Sequence, residues 1–253
     1  MTDSKTLAYI NMYAVLGTLE NLCELDEEAR GLLKNKKMIS IGLDVAGGPA
    51  ATLYFKNGYC RMEDGCSPDC TIKMGFSSCE KFNGMIDGTV TPIPSKGLLH
   101  LGFLLKSFMP LTDLLAKYMR PEPEALEDEH FFEISTKLMF YTITVAIAQI
   151  ANHDAIGRFS ASHIVDGDIY MGIKGACAAT VRAKNHHLVT IKKDCGNRRS
   201  MMEFCDIHLA RDLFDGKVNA VACIGEGTIT MGGMISMIDN VNRILDRVAL
   251  YLA

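Results

Sequence analysis

Cysteine is the residue type in this sequence with the clearest capacity for chemistry. The chain has nine cysteines in 253 residues, and four of them lie close together, at Cys60, Cys66, Cys70 and Cys79. A metal centre needs thiolates that converge on the ion, usually at short spacings such as Cys-x2-Cys. The spacings here follow none of these patterns, and Cys60 and Cys70 are predicted on different strands. We therefore predict structural thiols, with no bound metal and no cofactor.

Cys79 is the candidate nucleophile. It falls near the start of a predicted helix, Cys79–Asp87, where the helix dipole lowers the pKa of a thiol. A nucleophile also needs a nearby base, and the nearest histidines by topology, His100 and His208, stand at no motif spacing. We predict that the protein is not an enzyme. An acyl-handling enzyme or accessory domain that uses Cys79 is the alternative.

Basic residues are concentrated in one predicted hairpin of the second half. Six of them are opposed there by Asp194 alone: Arg182, Lys184, Lys192, Lys193, Arg198 and Arg199. The cluster is either a solvated hairpin or a docking site for an anionic group, such as a CoA phosphate, a lipid headgroup or a membrane surface touched transiently. The net charge of -4 gives no reason to expect a nucleic acid partner.

The odd number of cysteines and the N-terminal segment indicate a reducing compartment. Lys5 is the only basic residue before the segment Leu7–Leu19, which contains Asn11 and no clear cleavage site for a secretory signal, so we expect free thiols and a cytoplasmic location. The longest apolar run, Leu138–Ala151, is shorter than the roughly 20 residues that span a bilayer. We expect a soluble protein.

The stretch 76–102 positions these groups and organises the first half. Ser78 can cap the helix that begins at Cys79, and Gly88 can end it in the left-handed conformation. A loop with two prolines follows, and Gly97 then precedes an apolar run whose first part, Leu98–Leu101, is predicted as a strand. A helix over Phe108–Met119 is predicted next.

The same plan recurs later in the chain, which indicates a tandem duplication. At a constant offset of 128 in the numbering, Phe76 pairs with Phe204, Ser78 with Asp206, Asp87 with Asp215 and Gly88 with Gly216. After a two-residue insertion, Gly97 pairs with Gly227 and Gly102 with Gly232. We predict a first repeat over residues 1–120, an acidic linker over 121–130 and a second repeat over 131–253.

The order of elements predicts an α+β fold. Each half reads as helix, antiparallel strands, helix, strand and helix, which gives a mostly antiparallel five-stranded sheet with helices packed on one face. The C-terminal helix of each half carries too many large apolar residues for one narrow stripe. Either each helix is buried on both sides or part of it lines an apolar cavity. We expect a monomer with pseudo-twofold halves or a homodimer.

Several of these motifs resemble those of the sterol carrier protein family, type two. The resemblance is carried by ATLYFKNG at 51–58, by Asp69–Ile72, by Phe82–Gly88, and by Lys96 and Gly97 with Gly102. It covers residues 38–119 well and 166–250 more weakly. In the second region Asn57-Gly58 has become Asn185-His186, and Arg198–Met201 replaces the Asp-x-Thr-Ile strand.

The resemblance implies a sheet-and-helix sandwich with a hydrophobic tunnel that binds a sterol, a fatty acid or a fatty acyl-CoA without chemistry. The predicted lining of the first repeat is Phe82, Met85, Ile86, Leu99, Leu101, Phe103, Phe108 and Leu111. The predicted lining of the second is Phe214, Ile229, Met231, Met234, Met237 and Ile238. Fifteen methionines and no tryptophan suit a cavity that adapts to chain-like ligands. A ligand-gated interaction module is a third hypothesis.

Overall fold

The computed structural model describes residues 2–252, which divide into two compact units. The first unit extends to Ile134 and the second begins at Ser135. Within the predicted linker, Pro123–Glu127 forms a turn of 3₁₀ helix, and a long helix begins at Glu129.

The first unit holds one four-stranded sheet and its helices. Its N-terminal helix starts as α1, Ser4–Tyr9, and continues through a π-helical turn, Ile10–Val15, and a 3₁₀ turn, Leu16–Thr18. It ends as α2, Leu19–Leu25. The other helices and the strands follow in chain order. Their bounds are α1 Ser4–Tyr9, α2 Leu19–Leu25, α3 Glu27–Leu32, β1 Ile39–Val45, β2 Ala50–Lys56, β3 Tyr59–Asp64, β4 Ile72–Phe76, α4 Cys79–Ile86, α5 Leu101–Phe103 and α6 Met109–Met119.

The second unit holds a five-stranded sheet. Its elements begin with the long helix α7, which starts before the unit boundary. Their bounds are α7 Glu129–His153, α8 Ala155–Ala161, β5 Gly167–Ile173, β6 Cys177–Lys184, β7 His187–Ile191, β8 Ser200–Phe204, α9 Ile207–Phe214, α10 Ala220–Gly225, β9 Ile229–Gly233 and α11 Ile235–Leu252. The strand order is β3-β2-β1-β4 in the first sheet and β7-β6-β5-β8-β9 in the second.

The alternation of side chains explains why the helices cover one face of each sheet. In the first unit, Ile41, Leu43 and Val45 on β1 point to the same face as Phe55 on β2, and all are buried. Phe55 contacts helical aromatic rings, so this is the helix-covered, inner face of the sheet. Ser40, Gly42 and Thr52 alternate to the opposite, outer face.

The two sheets share their register over four strands, at the same constant offset in the numbering. Ile41 pairs with Leu53 on the antiparallel neighbour, as Ile169 pairs with Val181. The next pair outward follows the same offset, because Leu53 faces Met62 and Val181 faces Thr190. The parallel pairs of β1 with β4 and of β5 with β8 also match. The predicted α+β class, with a mostly antiparallel sheet in each half, is confirmed.

The predicted fifth strand of the first half is wrong. Leu98–His100 is a 3₁₀ turn and Leu101–Phe103 is helical, so the predicted strand Leu98–Leu101 begins the C-terminal helix instead. What corresponds to a fifth strand is one bridge between Lys73 and Lys96. Pro92 and Pro94 precede it, and a proline has no N–H to donate to a ladder, so the segment does not extend into a strand.

The predicted pairing of Gly97 with Gly227 is also wrong. A Cβ on Gly97 would collide with the Thr71 carbonyl oxygen, and one on Gly233 would collide with the Arg199 carbonyl oxygen. Thr71 and Arg199 are related by the constant offset, so Gly97 corresponds to Gly233 and not to Gly227. The insertion in the second unit is therefore eight residues long, and not two as predicted. It lies before this glycine, in the region that forms α10 and β9.

An aspartate and a tyrosine fix the far end of the C-terminal helix in each unit. Asp26 caps α3 and accepts a hydrogen bond from the Tyr118 hydroxyl at 2.7 Å. Asp154 caps α8 and accepts one from the Tyr251 hydroxyl at 2.8 Å. Asp26 and Asp154 are again related by the constant offset, so the same contact recurs in the same place.

We predict that Gly97→Ala destabilises the first unit by at least about 2 kcal/mol, because Gly97 has a φ of 88° and lies against the backbone of β4. Gly102→Ala is the matched control, since a Cβ at Gly102 meets no atom within 4 Å and alanine favours the helix by about 0.5–1 kcal/mol. Urea unfolding measures both. Equal effects of the two substitutions would contradict the role given to Gly97.

Candidate functional site

The C-terminal helix of the first unit is irregular where it leaves the sheet. Leu98–His100 is a 3₁₀ turn, Leu101–Phe103 is α-helical, Leu104–Phe108 is a π-helical turn, and regular α-helix resumes at Met109. Isolated π-helical turns are rare in α-helices and frequently occur at functional sites. The irregular turns coincide with the predicted ligand-binding segment.

One side of this helix packs on the sheet through aromatic rings. Phe55 on β2 is fully buried, and its ring centroid lies 5.4 Å from that of Phe103 and 5.9 Å from that of Phe108. Leu104 and Leu111 are buried on the same side. The predicted lining residues Phe103 and Phe108 therefore pack against Phe55 on the inner face of β2, and Leu111 is buried further along the same helix.

The other side of the helix is apolar and exposed. Its large side chains are between 40% and 99% exposed, although they recur at helical spacing and would suit a buried surface. We call these residues the apolar stripe: Leu98, Leu99, Leu101, Leu105 and Met109. Ile93, in the preceding loop, is also exposed. A contiguous exposed apolar patch of this kind typically marks a binding surface for a ligand, a protein or a membrane.

The corresponding helix of the second unit is different. Along α11 the buried side chains include the predicted lining residues Met237 and Ile238, whereas Asp239, Arg243 and Asp246 are exposed. Its exposed apolar residues are confined to the two ends, at Met234 and Ile235 and at Leu250. This helix is amphipathic in the ordinary sense, and the apolar stripe is a feature of the first unit.

The remaining predicted lining residues lie in ordinary packing positions. Phe82 is buried, with its ring centroid 5.2 Å from that of Phe76, and Met85 and Ile86 on the same helix are half-buried. In the second unit, Phe214 is half-buried, 5.9 Å from Phe204 by ring centroids. Ile229 is buried and Met231 half-buried on β9.

Ile93, Leu98, Leu105 and Met109 were missing from the predicted site. The sequence did contain the relevant signal, because the apolar set of this helix is too wide for one buried stripe. Assigning Leu98–Leu101 to a strand concealed the helical spacing that relates Leu98, Leu101, Leu105 and Met109.

A shallow depression also lies over β2 and β3. Its volume is about 360 Å³, and Met38, Tyr54, Lys56, Tyr59, Cys60, Arg61 and Glu63 line it. Arg61 and Glu63 form an ion pair of 3.0 Å there. None of the predicted tunnel residues contributes to the depression, and its charged rim suits a polar ligand better than an alkyl chain.

Two helical stretches among the described residues are long and apolar enough to cross a bilayer by length and composition alone. The first is Leu98–Met119, and 33% of its most apolar 18 residues are buried. The second is Glu129–His153, and 72% of its most apolar 18 residues are buried. The buried core helices of globular proteins have the same length and composition, so these two properties do not distinguish a membrane span from a core helix. Leu138–Ala151 lies within the second stretch.

Cys79 has an unfavourable environment for a nucleophile. The side chain is buried at the start of α4, and its sulfur lies 2.8 Å from the position that a Cβ on Gly48 would occupy. Burial raises the pKa of the Cys79 thiol, and the Glu80 carboxylate raises it further. A high pKa leaves little thiolate at neutral pH. Across residues 2–252, no group of three or more His, Cys, Asp or Glu side chains is arranged to hold a metal ion.

The three arginines of the basic cluster are engaged within the second unit. Arg182 makes two hydrogen bonds of 2.7 Å to Asp168, and Arg198 makes one of 2.6 Å to Asp194. The Arg199 guanidinium donates to the Asp166 carbonyl oxygen at 2.6 Å. These contacts favour a structural role for the arginines over an anion-docking site.

Comparisons with known proteins give structural similarities only. No protein-family model matches the chain, and no curated protein matches it. Among solved structures, it is similar to a "UbiJ-SCP2 Ubiquinone synthesis protein", with a TM-score of 0.35 and 13% identity over 44% of this chain and 95% of that one. It is also similar to a conserved hypothetical protein from Thermus thermophilus, described as a possible sterol carrier protein, with a TM-score of 0.33 and 12% identity over 44% of this chain and 85% of that one.

Asp168 gives a pH-dependent test of the arginine contacts. Hydrogen bonds from Arg182 lower its pKa and outweigh the opposing effect of burial. A lowered carboxylate pKa stabilises the fold fully above the ordinary value, near 3.8, and that stabilisation is lost as the pH falls through the folded-state pKa.

We therefore predict that Asp168→Asn, which removes the carboxylate charge, lowers the free energy of unfolding by about 1–2 kcal/mol at pH 7. The loss is limited because Arg182 is half exposed, so water replaces part of the contact. The variant should also lose less stability than the parent between pH 5 and pH 2. Asp212→Asn, at an exposed ion pair, is the control and should change stability by less than about 0.5 kcal/mol. Parallel acid transitions of parent and Asp168→Asn would contradict this assignment.

Proposed function

We propose that the first unit binds an apolar, chain-like ligand without catalysing a reaction. A fatty acid, the acyl chain of a fatty acyl-CoA or a sterol-like lipid would fit this description. The observation that carries the proposal is the apolar stripe, Leu98 to Met109, on a helix whose opposite side meets the rings around Phe55. The sequence resemblance to sterol carrier proteins points to the same ligand class.

The proposed binding mode uses the irregular turns of the helix. The π-helical turn Leu104–Phe108 carries Leu105 of the stripe on one side and the buried Phe108 ring on the other, and it lacks a regular α-helical hydrogen-bond pattern. Displacement of this turn would open an internal apolar cavity beside Phe103 and Phe108. An acyl chain of a dozen methylenes would then gain on the order of 10 kcal/mol from burial, before the costs of binding.

We further propose that the two units are tandem repeats of one ancestral unit. The shared strand register, the capping aspartates Asp26 and Asp154, and the tyrosines that contact them support this proposal. The second unit would then have become structural or regulatory, since α11 lacks an apolar stripe. A cytoplasmic carrier of this kind would touch a membrane only to exchange its ligand.

Native mass spectrometry of the purified full-length chain tests the proposed function. We expect co-purified fatty acid, fatty acyl-CoA or sterol, released by organic extraction, or saturable binding of a fluorescent fatty acid to the stripped protein. A protein that is empty and also ignores a panel of fluorescent lipids would contradict the proposal.

We predict that Leu105→Glu weakens fatty acid binding at least tenfold, because the charge lies within the apolar stripe, where the alkyl chain would be buried. Leu250→Glu is the matched control, since Leu250 is a similarly exposed leucine on α11 in the second unit. It should leave the affinity within about twofold of the parent. Equal losses in the two variants would place the ligand elsewhere.

We predict that Cys79→Ala leaves lipid retention unchanged, because the thiol is buried behind Gly48 and has a raised pKa. The measurement is lipid content by extraction, together with hydrolysis of a fatty acyl-CoA by parent and variant. Hydrolysis that the substitution abolishes would support the enzyme alternative instead.

A further inference from the structure

The loop between β3 and β4 lies across the outer face of the first sheet and is fixed at both ends. We call residues 65–71 the strap. The Thr52 hydroxyl donates to the Gly65 carbonyl oxygen at 2.7 Å and accepts from the Ser67 N–H at 2.8 Å. At the other end, the Thr71 N–H donates to the Ser40 hydroxyl at 2.9 Å. The backbone of the strap is therefore held in one place on the sheet.

Two thiols meet beneath the strap. The sulfur atoms of Cys66 and Cys70 both lie 2.8 Å from the position that a Cβ on Gly42 would occupy. The two sulfur atoms therefore lie within about 5.6 Å of each other, and the proximity of Cys70 is one of the causes that raise the pKa of the Cys66 thiol. A turn closed by the Cys70 N–H and the Ser67 carbonyl oxygen at 3.3 Å brings them together. Cys70 is buried and Cys66 is half-buried, so Cys66 is the more accessible of the two.

The second unit has the same loop with different chemistry at the same two positions. The Thr180 hydroxyl donates to the Lys193 carbonyl oxygen at 2.8 Å and accepts from the Cys195 N–H at 3.1 Å, as Thr52 does in the first unit. Asp194 and Arg198, the counterparts of Cys66 and Cys70 at the constant offset, form an ion pair of 2.6 Å. The Arg198 guanidinium lies 3.6 Å from the ring centroid of Tyr170, the counterpart of Gly42.

In both units, the side chains at these equivalent loop positions lie close to each other. In the second unit the link is an ion pair supported by a cation–π contact. In the first unit the two linking groups are thiols, and their separation along the chain spans a single turn. A glycine beneath them leaves room for two sulfur atoms, and the larger Tyr170 supports a guanidinium.

We propose that Cys66 and Cys70 form a reversible disulfide that closes a small ring within the strap, over Gly42 of the first sheet. The oxidant would be a small disulfide of the glutathione class. The Cys66 thiolate attacks one sulfur of that disulfide, whose S–S bond breaks and releases one small thiolate, which takes up a proton. The Cys70 thiolate, having lost its proton to solvent, then attacks the Cys66 sulfur and displaces the second small thiol.

The electrons and protons of this exchange balance. The two cysteines together lose two electrons and two protons, and the small disulfide gains them as two thiols. Burial raises the pKa of the Cys66 thiol, and the Lys73 ammonium, paired with Asp44 at 3.0 Å, opposes that rise. Because the thiolate is the attacking species, oxidation should speed up as the pH rises toward the thiol pKa.

Peptide mapping of the full-length protein tests the proposal directly. The protein is equilibrated in glutathione buffers of graded redox potential, alkylated and digested with trypsin. Cleavage after Arg61 and Lys73 yields a peptide, residues 62–73, that contains Cys66 and Cys70 and no other cysteine. At the oxidising end we expect this peptide to escape alkylation and to be lighter, by two hydrogen atoms, than the reduced and unalkylated peptide.

The exposed Cys205 is the internal control, because it is the one cysteine in residues 200–211, the tryptic peptide that holds it. It should become alkylated or carry one glutathione. A peptide 62–73 that stays fully alkylated at potentials where Cys205 carries glutathione would overturn the proposal. Glutathione that persists on Cys66 would overturn it too.

A thermal measurement tests whether the disulfide within the strap stabilises the fold. Oxidation should raise the unfolding temperature of the parent by about 3–6 °C, and dithiothreitol should reverse the shift. Cys66→Ser and Cys70→Ser should each lose the shift, whereas Cys205→Ser should retain it. A shift of the same size in Cys66→Ser would assign the effect to another cysteine and overturn the proposal.

Discussion

The C-terminal helix of each unit is held at two points, and much of the structure follows from that constraint. At its start, Gly97 or Gly233 lies against the backbone of a parallel strand, where a Cβ does not fit. At its end, Tyr118 or Tyr251 donates to the aspartate that caps another helix. Because both ends are fixed on the same scaffold, the number of residues between them determines how the helix lies on its sheet.

The two units differ in that number, and the unit with the longer segment is the one that carries the apolar stripe. Gly97 and Tyr118 are 21 positions apart, whereas Gly233 and Tyr251 are 18 apart. The longer segment of the first unit contains the π-helical turn Leu104–Phe108, and an i→i+5 turn holds more residues than an α-helical one. The second unit has no added residues and a regular amphipathic helix.

Much of the fold could be predicted from the sequence, because local signals there agreed with tertiary packing. Ser78 and Asp206 cap their helices through their side chains, and Gly88 ends α4 with a φ of 71°. Apolar side chains alternate along β1, at Ile39, Ile41, Leu43 and Val45, which is the period-two pattern of a strand. The fifth strand of the first unit failed because Leu98–Leu101 is an apolar run too short to distinguish strand from helix by periodicity. The close approach of Gly97 to Thr71 is a long-range contact, which no local pattern contains.

The candidate site was predicted only in part, because its exposed residues depend on long-range contacts that local patterns do not contain. Phe103, Phe108 and Leu111 were identified through the resemblance to the sterol carrier family, which implies an apolar lining along this segment. Leu105 and Met109 were missed because exposure depends on how the helix is rotated, and the rotation depends on the two fixed ends. The pairing of Cys66 with Cys70 depends on a turn and on the absence of a side chain at Gly42, which spacing alone does not reveal.

The residue beneath the strap, and its counterpart in the second unit, also constrain how such proteins can diverge. Any side chain at Gly42 would displace two sulfur atoms, and a glycine at Tyr170 would remove the ring on which Arg198 rests. A lineage that exchanges one kind of link for the other must therefore change three positions in concert, two in the loop and one in the strand. Related chains should show glycine with paired cysteines or an aromatic residue with opposite charges, and the mixed combinations should be depleted.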